Sequence, residues 1–236
     1  MCGRFTLHHS VGEVAERFGV QETLFDFPAR YNIAPMQALA VVTRNAHGDD
    51  KRVLEGYRWG LVPSWAKDDS IGVKMINARA ETLAEKPSFK NALKSRRCLI
   101  PADGFYEWKT QGKTKIPHYI RFRDDRIYAF AGLWEEWNGP GDAPLRTATI
   151  ITSDPNPLLA TLHHRMAVIL KPADEAIWLD PKVSAQDALQ LLQTFPDDEL
   201  EAFPVDRKVG NVAFDAPQNI EPVGPDDEVE GQLSLL

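Results

Sequence analysis

The feature that most restricts this chain is a succession of short β-branched or aromatic runs with no regular strand–helix alternation between them. LAVVTR (39–44), RVLEGYRWG (52–60), CLIPA (98–102), GFYEWK (104–109), PHYIRF (117–122), RIYAFAGLW (126–134), RTATIIT (146–152) and MAVIL (166–170) are bounded by Gly, Pro, Asp or Asn. Each run predicts a strand. Few helical patterns fall between them: residues 11–19 read as a short amphipathic helix, and 81–97 as one or two helices broken at Pro87. PNPLLATLHHR (155–165) reads as a helical turn feeding a strand, and residues 172–180 and 184–195 as helices, the latter capped by Ser184. FPARYNIAP (27–35), with its prolines and Asn32, reads as a structured loop. The expectation is an α+β fold of mainly antiparallel sheets, forming a partly closed barrel-like core with peripheral helices.

No linker breaks the pattern, so residues 1–222 are expected to be one domain. Residues 223–236 are acidic and lack aromatics, which predicts a flexible tail. No apolar run reaches the roughly 18 residues of a membrane span, and MCGRFTLHHS lacks a signal-peptide pattern. Cys2 and Cys98 are the only cysteines, too few for a disulfide framework. A cytoplasmic monomer is expected, nucleoid-associated when bound to DNA. The formal net charge of −7 argues against a nucleic-acid partner only superficially. Residues 197–236 hold eleven acidic and two basic residues, leaving 25 basic against 23 acidic in the body of the chain, which can still carry a basic groove.

Cys2 is the first candidate for chemistry. A small residue at the second position permits removal of the initiator methionine, and an amine and a thiol then share one residue. Their ordinary pKa values, about 8 and about 8.5, leave fractions of both nucleophiles available near neutral pH. An aldehyde meeting such an aminothiol forms an imine with the amine, after which sulfur closes a five-membered thiazolidine. Read alone, Cys2 also fits a small buried core residue. Cys98, in CLIPA, reads as strand core. Adjacent histidines on an extended backbone point to opposite sides, so His163 and His164 are not expected to share a site, and neither that pair nor His8–His9 is spaced for joint metal ligation. No metal and no cofactor is expected.

MCGRF, YNIAP, RWGLVPSW, NARAET, RCLIPADGFYEWK and LHHRMAVIL follow one another over Met1 to Ile220. In this order they resemble the SRAP (SOS-response-associated peptidase) family, whose members are understood chiefly as proteins that crosslink themselves to abasic sites in single-stranded DNA. The resemblance implies that Cys2 is the covalent residue, with Asn77 beside it, Glu107 as the active-site glutamate and His163 opening the His-x-Arg-Met segment. Ala167 stands where the family usually has proline, a departure that bears on backbone stiffness more than on chemistry.

These residue types suit an abasic sugar, which must open its ring to expose an aldehyde. His163 can protonate the ring oxygen, Glu107 can take a proton from the amine and help expel water, and Asn77 can orient the amine or the sugar. Arg4, Arg79 and Arg165 each lie within two residues of a proposed active-site position and are candidates for phosphate contacts, with ion pairing, for instance to Glu81 or Asp103, as the structural alternative. Arg58, Lys67 and Lys74 extend the positive track. Trp59 and Trp65, in RWGLVPSWAK, are candidates for stacking on unpaired bases, although tryptophan is as often core.

The end GQLSLL resembles the QLSLF-type peptide by which bacterial repair proteins bind the replication sliding clamp. That assigns Gln232, Leu233, Leu235 and Leu236 to a clamp contact, with Leu236 departing from the usual phenylalanine. Three functional classes remain at this stage: a covalent abasic-site sensor with an associated lyase activity, an N-terminal-nucleophile peptidase or amidohydrolase, and a noncovalent single-strand-binding module.

Overall fold

A computed structural model describes residues 2–44, 50–141 and 143–224. In chain order its strands are β1 (Phe5–Leu7), β2 (Glu22–Thr23), β3 (Arg30–Ile33), β4 (Ala38–Arg44), β5 (Arg52–Trp59), β6 (Asn77–Arg79) and β7 (Arg97–Ala102). They continue with β8 (Gly104–Gln111), β9 (Thr114–Phe122), β10 (Tyr128–Trp137), β11 (Leu145–Ser153), β12 (Met166–Ala167) and β13 (Leu200–Pro204). The helices are α1 (Val11–Phe18), α2 (Pro87–Ser95), α3 (Pro157–Ala160), α4 (Pro172–Leu179) and α5 (Ala185–Gln190).

Strands β11, β10, β7, β4 and β5 pair antiparallel in that order, and β5 returns to β11 in parallel register, Arg58 opposite Thr147 and Trp59 opposite Ala148. That last pairing closes a five-stranded mixed barrel and removes its free edges. A second, antiparallel sheet runs β13-β9-β8-β1-β3. The fold is α+β with a closed barrel at its centre, as the strand-rich pattern predicts.

The two sheets share one core. Phe5 of β1 packs edge-on against Trp59 of β5 and Phe130 of β10, with ring centroids 5.2 and 6.0 Å apart. Aromatic pairs of this geometry add about 0.5–1.5 kcal/mol beyond the area they bury. Cys98 is fully buried among these residues, the core role its sequence context predicts. Gly104 opens β8 where no other residue fits, because a Cβ there would meet the Tyr119 hydroxyl at 2.0 Å.

The helices form where local signals place them. Ser10 and Glu13 make a reciprocal capping box at the start of α1, and Gly19 ends it at φ 59°, the left-handed region glycine adopts without strain. Pro87 and Pro172 occupy the first positions of α2 and α4, and Ser184 caps α5. Helix α5 stops at Gln190, short of the expected 195, and Leu192 and Phe195 then reach the core from irregular chain. The segment expected as a loop over 27–35 contains β3, which pairs with β1 through Phe5–Ile33, a partner that local sequence does not reveal. Only Met166–Ala167 of MAVIL forms a continuous strand, with Ile169 adding an isolated bridge to Phe130. No helix among the described residues is long and apolar enough to cross a membrane.

Candidate active site

The chain start is fixed against the second sheet. The backbone N–H of Tyr106 donates to the carbonyl of Arg4 (3.0 Å), which aligns the residues just before β1 with β8 and brings Cys2 beside Glu107. Cys2 is fully buried, with Sγ 3.9 Å from the same Arg4 carbonyl. Burial first, and the Glu107 carboxylate second, hold the thiol well above its ordinary range. Glu107 is itself 2 % exposed, and burial pushes its carboxyl above the usual carboxylate range. A carboxyl so displaced is protonated more readily than an ordinary one, which suits a group that passes a proton.

Asn77 arrives from the barrel. Strand β6 lies parallel to β11, with Asn77 opposite Ile150, and from there the Asn77 amide Nδ2 donates to the carbonyl of Cys2 at 2.8 Å. Its Oδ1 is buried and makes no hydrogen bond among the described residues. Asn77 thereby holds the peptide that follows Cys2.

His163 follows α3, whose Asn156 cap accepts from Leu159 N at 2.8 Å, and its own N–H donates to Leu159 O at 2.8 Å. The ring Nδ1 accepts from Arg165 N at 3.0 Å, which fixes the imidazole orientation. Burial lowers the His163 pKa and keeps the ring toward its neutral form. His164 does not point to the opposite side as an extended backbone requires. A bend at His164 stacks the two rings, centroids 4.3 Å apart and planes 29° apart, and both face the same cleft. The adjacent His163 ring is the first cause of a lowered His164 pKa, because a proton on one imidazole disfavours a second on its neighbour. The same correction applies at the other pair. A bend at His9 brings the His8 and His9 rings to 4.9 Å, together rather than apart.

The cleft encloses about 920 Å³, and its walls include Gly3, Arg4, Glu107, Lys115, His163 and His164. Residues of the second sheet and of the segment after α3 therefore converge on one opening, and Cys2 immediately precedes the lining residue Gly3 in the chain. Lys115, Trp108 and Thr110 belong to this wall and escaped the sequence reading. The available signal was the Gly112 turn, which folds β8 onto β9 and sets Thr110 opposite Lys115.

The proposed phosphate and base contacts divide. Arg4 lines the cleft, its guanidinium donating to Asn32 Oδ1 (2.9 Å) and to the carbonyls of Val209 (2.8 Å) and Gly210 (3.2 Å). No carboxylate among the described residues pairs with it, so its charge still faces the opening. Arg79 is exposed, two residues beyond Asn77. Arg165 takes the structural alternative instead. It is 8 % exposed, grips Glu81 with both terminal nitrogens at 2.9 Å, and reaches Asp154 (3.0 Å) and the Thr152 carbonyl (2.7 Å). A guanidinium so committed has no free fork for phosphate.

Trp59 is likewise corrected. It is fully buried, with Nε1 donating to Ile76 O at 2.8 Å, and cannot stack on a base. Trp65 is 57 % exposed and borders a shallow basin with Lys67 and Lys74. Arg58 is tied to Asp69 at 2.6 Å. Gln232, Leu233, Leu235 and Leu236 lie outside the described residues.

Residues 1–212 match the family model described as SOS response associated peptidase (SRAP). The abasic site processing protein YoqW of Bacillus subtilis (strain 168) is 48 % identical over 225 residues, covering 94 % of this chain and 99 % of that protein. The abasic site processing protein HMCES of Gallus gallus is 35 % identical over 237 residues, covering 86 % of this chain and 70 % of that one. A crystal structure of a protein from Bacteroides thetaiotaomicron superposes with a TM-score of 0.82 at 26 % identity, covering 94 % of this chain and all of that one. On its sequence, its fold and the matched span, the chain belongs to the SOS response associated peptidase family.

Proposed function

We propose that this protein acts on abasic sites in single-stranded DNA, forming a covalent thiazolidine crosslink through Cys2 once Met1 has been removed. The observation that carries the reading is the convergence of Glu107 and His163 on one cleft whose wall begins at the residue after Cys2, with Asn77 bonded to the Cys2 carbonyl. The names of the relatives point the same way.

Chemistry follows from the side chains. His163 protonates the ring oxygen as the deoxyribose opens, and the Cys2 amine adds to the C1' aldehyde to give a carbinolamine. Protonated Glu107 delivers its proton to the departing hydroxyl, so that one water leaves and an iminium remains. The thiol sulfur then bonds to the iminium carbon while its proton passes to the Glu107 carboxylate, closing the ring. Sum and product differ by that single water. A thiol held above its ordinary range favours this amine-first order over attack by a free thiolate, which weighs against the peptidase reading. The intermediate iminium also permits strand cleavage by elimination, the associated lyase activity. Arg4, Arg79 and Lys115 supply positive charge for the phosphates, and the exposed Trp65 supplies a stacking face.

The test uses Met1-processed protein and a single-stranded oligonucleotide with one abasic site, read by denaturing electrophoresis and intact mass. The expected product is a Cys2-dependent adduct lighter by one water than the sum of its parts. Undiminished crosslinking by Cys2→Ala refutes the assigned nucleophile.

A further inference from the structure

A second cluster of donor atoms lies outside the cleft and shares none of its lining residues. His8 and His9 follow β1, and both turn Nδ1 toward Asp103, the fully buried carboxylate in the turn between β7 and β8. His8 Nδ1 is 3.0 Å from Asp103 Oδ1, and His9 Nδ1 is 3.0 Å from Oδ2. The donor atoms of all three residues lie within 4.8 Å of one another. Ligands at the usual zinc distances stand about 3.3 Å apart in a tetrahedral sphere, so small side-chain adjustments bring these atoms onto one ion.

Three further observations point to an ion rather than to hydrogen bonding alone. His8 Nδ1 is buried and lies 3.0 Å from Asp103 Oδ1, off the alignment of a well-formed hydrogen bond. Asp103 is held from behind by Thr6 Oγ1 (2.5 Å to Oδ1) and by the backbone N–H of His8 (2.5 Å to Oδ2), the outer support that fixes a ligating carboxylate. The His8 and His9 side chains remain 17 % and 20 % exposed, so ion and water can enter.

We propose that His8, His9 and Asp103 bind one divalent transition-metal ion through two imidazoles and one carboxylate, with water completing the sphere. This donor set suits zinc, cobalt or nickel rather than calcium or magnesium, which take oxygen ligands. Binding replaces the His9–Asp103 hydrogen bond with metal–ligand bonds, both rings carrying their proton on Nε2. The ion ties the end of β1 to the β7–β8 turn, and so steadies the strand that Cys2 leads.

The experiment uses the full chain without a histidine tag and cobalt(II) as the probe. One equivalent of cobalt is expected to develop visible d–d absorption that zinc abolishes by displacement. His8→Gln and His9→Gln, at partly exposed positions, should each weaken cobalt binding at least about tenfold while circular dichroism stays unchanged. Zinc should also raise the melting temperature of the wild type and leave that of the double variant unmoved. Absence of a one-equivalent cobalt spectrum in the wild type overturns the proposal, as does equal binding by the folded double variant.

Discussion

The side-chain amide of Asn77 donates to the carbonyl of Cys2 across 2.8 Å, a bond between the barrel-borne strand β6 and the start of the chain. It fixes the peptide that a reacting Cys2 must hold still. Removing it forfeits about 1 kcal/mol, the usual net value of one hydrogen bond. Asn77→Ala should therefore slow single-turnover crosslinking about fivefold in a protein of near-normal stability. A rate equal to wild type on the same abasic oligonucleotide contradicts that positioning role.

Glu107 carries a stability cost at neutral pH. Its carboxyl is raised by burial in the folded state, so the folded protein holds the proton that the unfolded chain releases first. Stability falls as pH climbs from the ordinary carboxylate value to the raised one. Glu107→Gln should melt above the wild type at pH 8, with the gap closing toward pH 4, while crosslinking slows sharply. Thermal melts across that range check the sign, and a variant that melts lower at pH 8 reverses it.

The two tryptophans of RWGLVPSWAK should separate cleanly. Trp59→Ala empties a core position and costs about 3–5 kcal/mol, measured by urea unfolding. Trp65→Ala, at an exposed side chain, should shift stability by no more than about 0.5 kcal/mol and weaken binding to single-stranded DNA.

Arginine variants should divide in the same way. Arg165→Met loses a clamp whose acids, Glu81 and Asp154, are 48 % and 85 % exposed and can rehydrate. The cost is accordingly about 2 kcal/mol, below that of a fully buried pair, and the salt dependence of DNA binding is unchanged. Arg79→Gln leaves stability nearly intact and flattens the slope of log affinity against log salt by about 0.7, the value of one phosphate contact on a single strand. Titrations at several salt concentrations distinguish the two.

What the sequence revealed and what it concealed follow from the range of the interactions involved. Local signals were readable: the amphipathic run of α1, the Ser184 cap of α5, the helix break at Pro87, and the short β-branched and aromatic runs that became the barrel. Cys2, Asn77, Glu107 and His163 were singled out through motif resemblance and chemistry; Glu107 and His163 line one cleft, and Asn77 bonds to the carbonyl of Cys2. Long-range placement was not readable. Trp59 and Trp65 are equivalent as letters on a Gly-Pro loop, and only distant chain, Phe5 of β1 among it, packs against the first. Arg165 could not be separated from Arg79 until the parallel pairing of β6 with β11 delivered Glu81 and Asp154, each just beyond its strand. The strand rule of opposite faces failed at both histidine pairs because each sits at a bend, where alternation does not hold.

Glu107 and His163 enter the sequence long after Cys2, and they meet it only when both sheets have formed. On the proposed function, a ribosome-bound or unfolded chain therefore carries Cys2 without the two side chains assigned to proton transfer. That reading makes the unfinished chain a sluggish trap for stray aldehydes and reserves full reactivity for the folded protein.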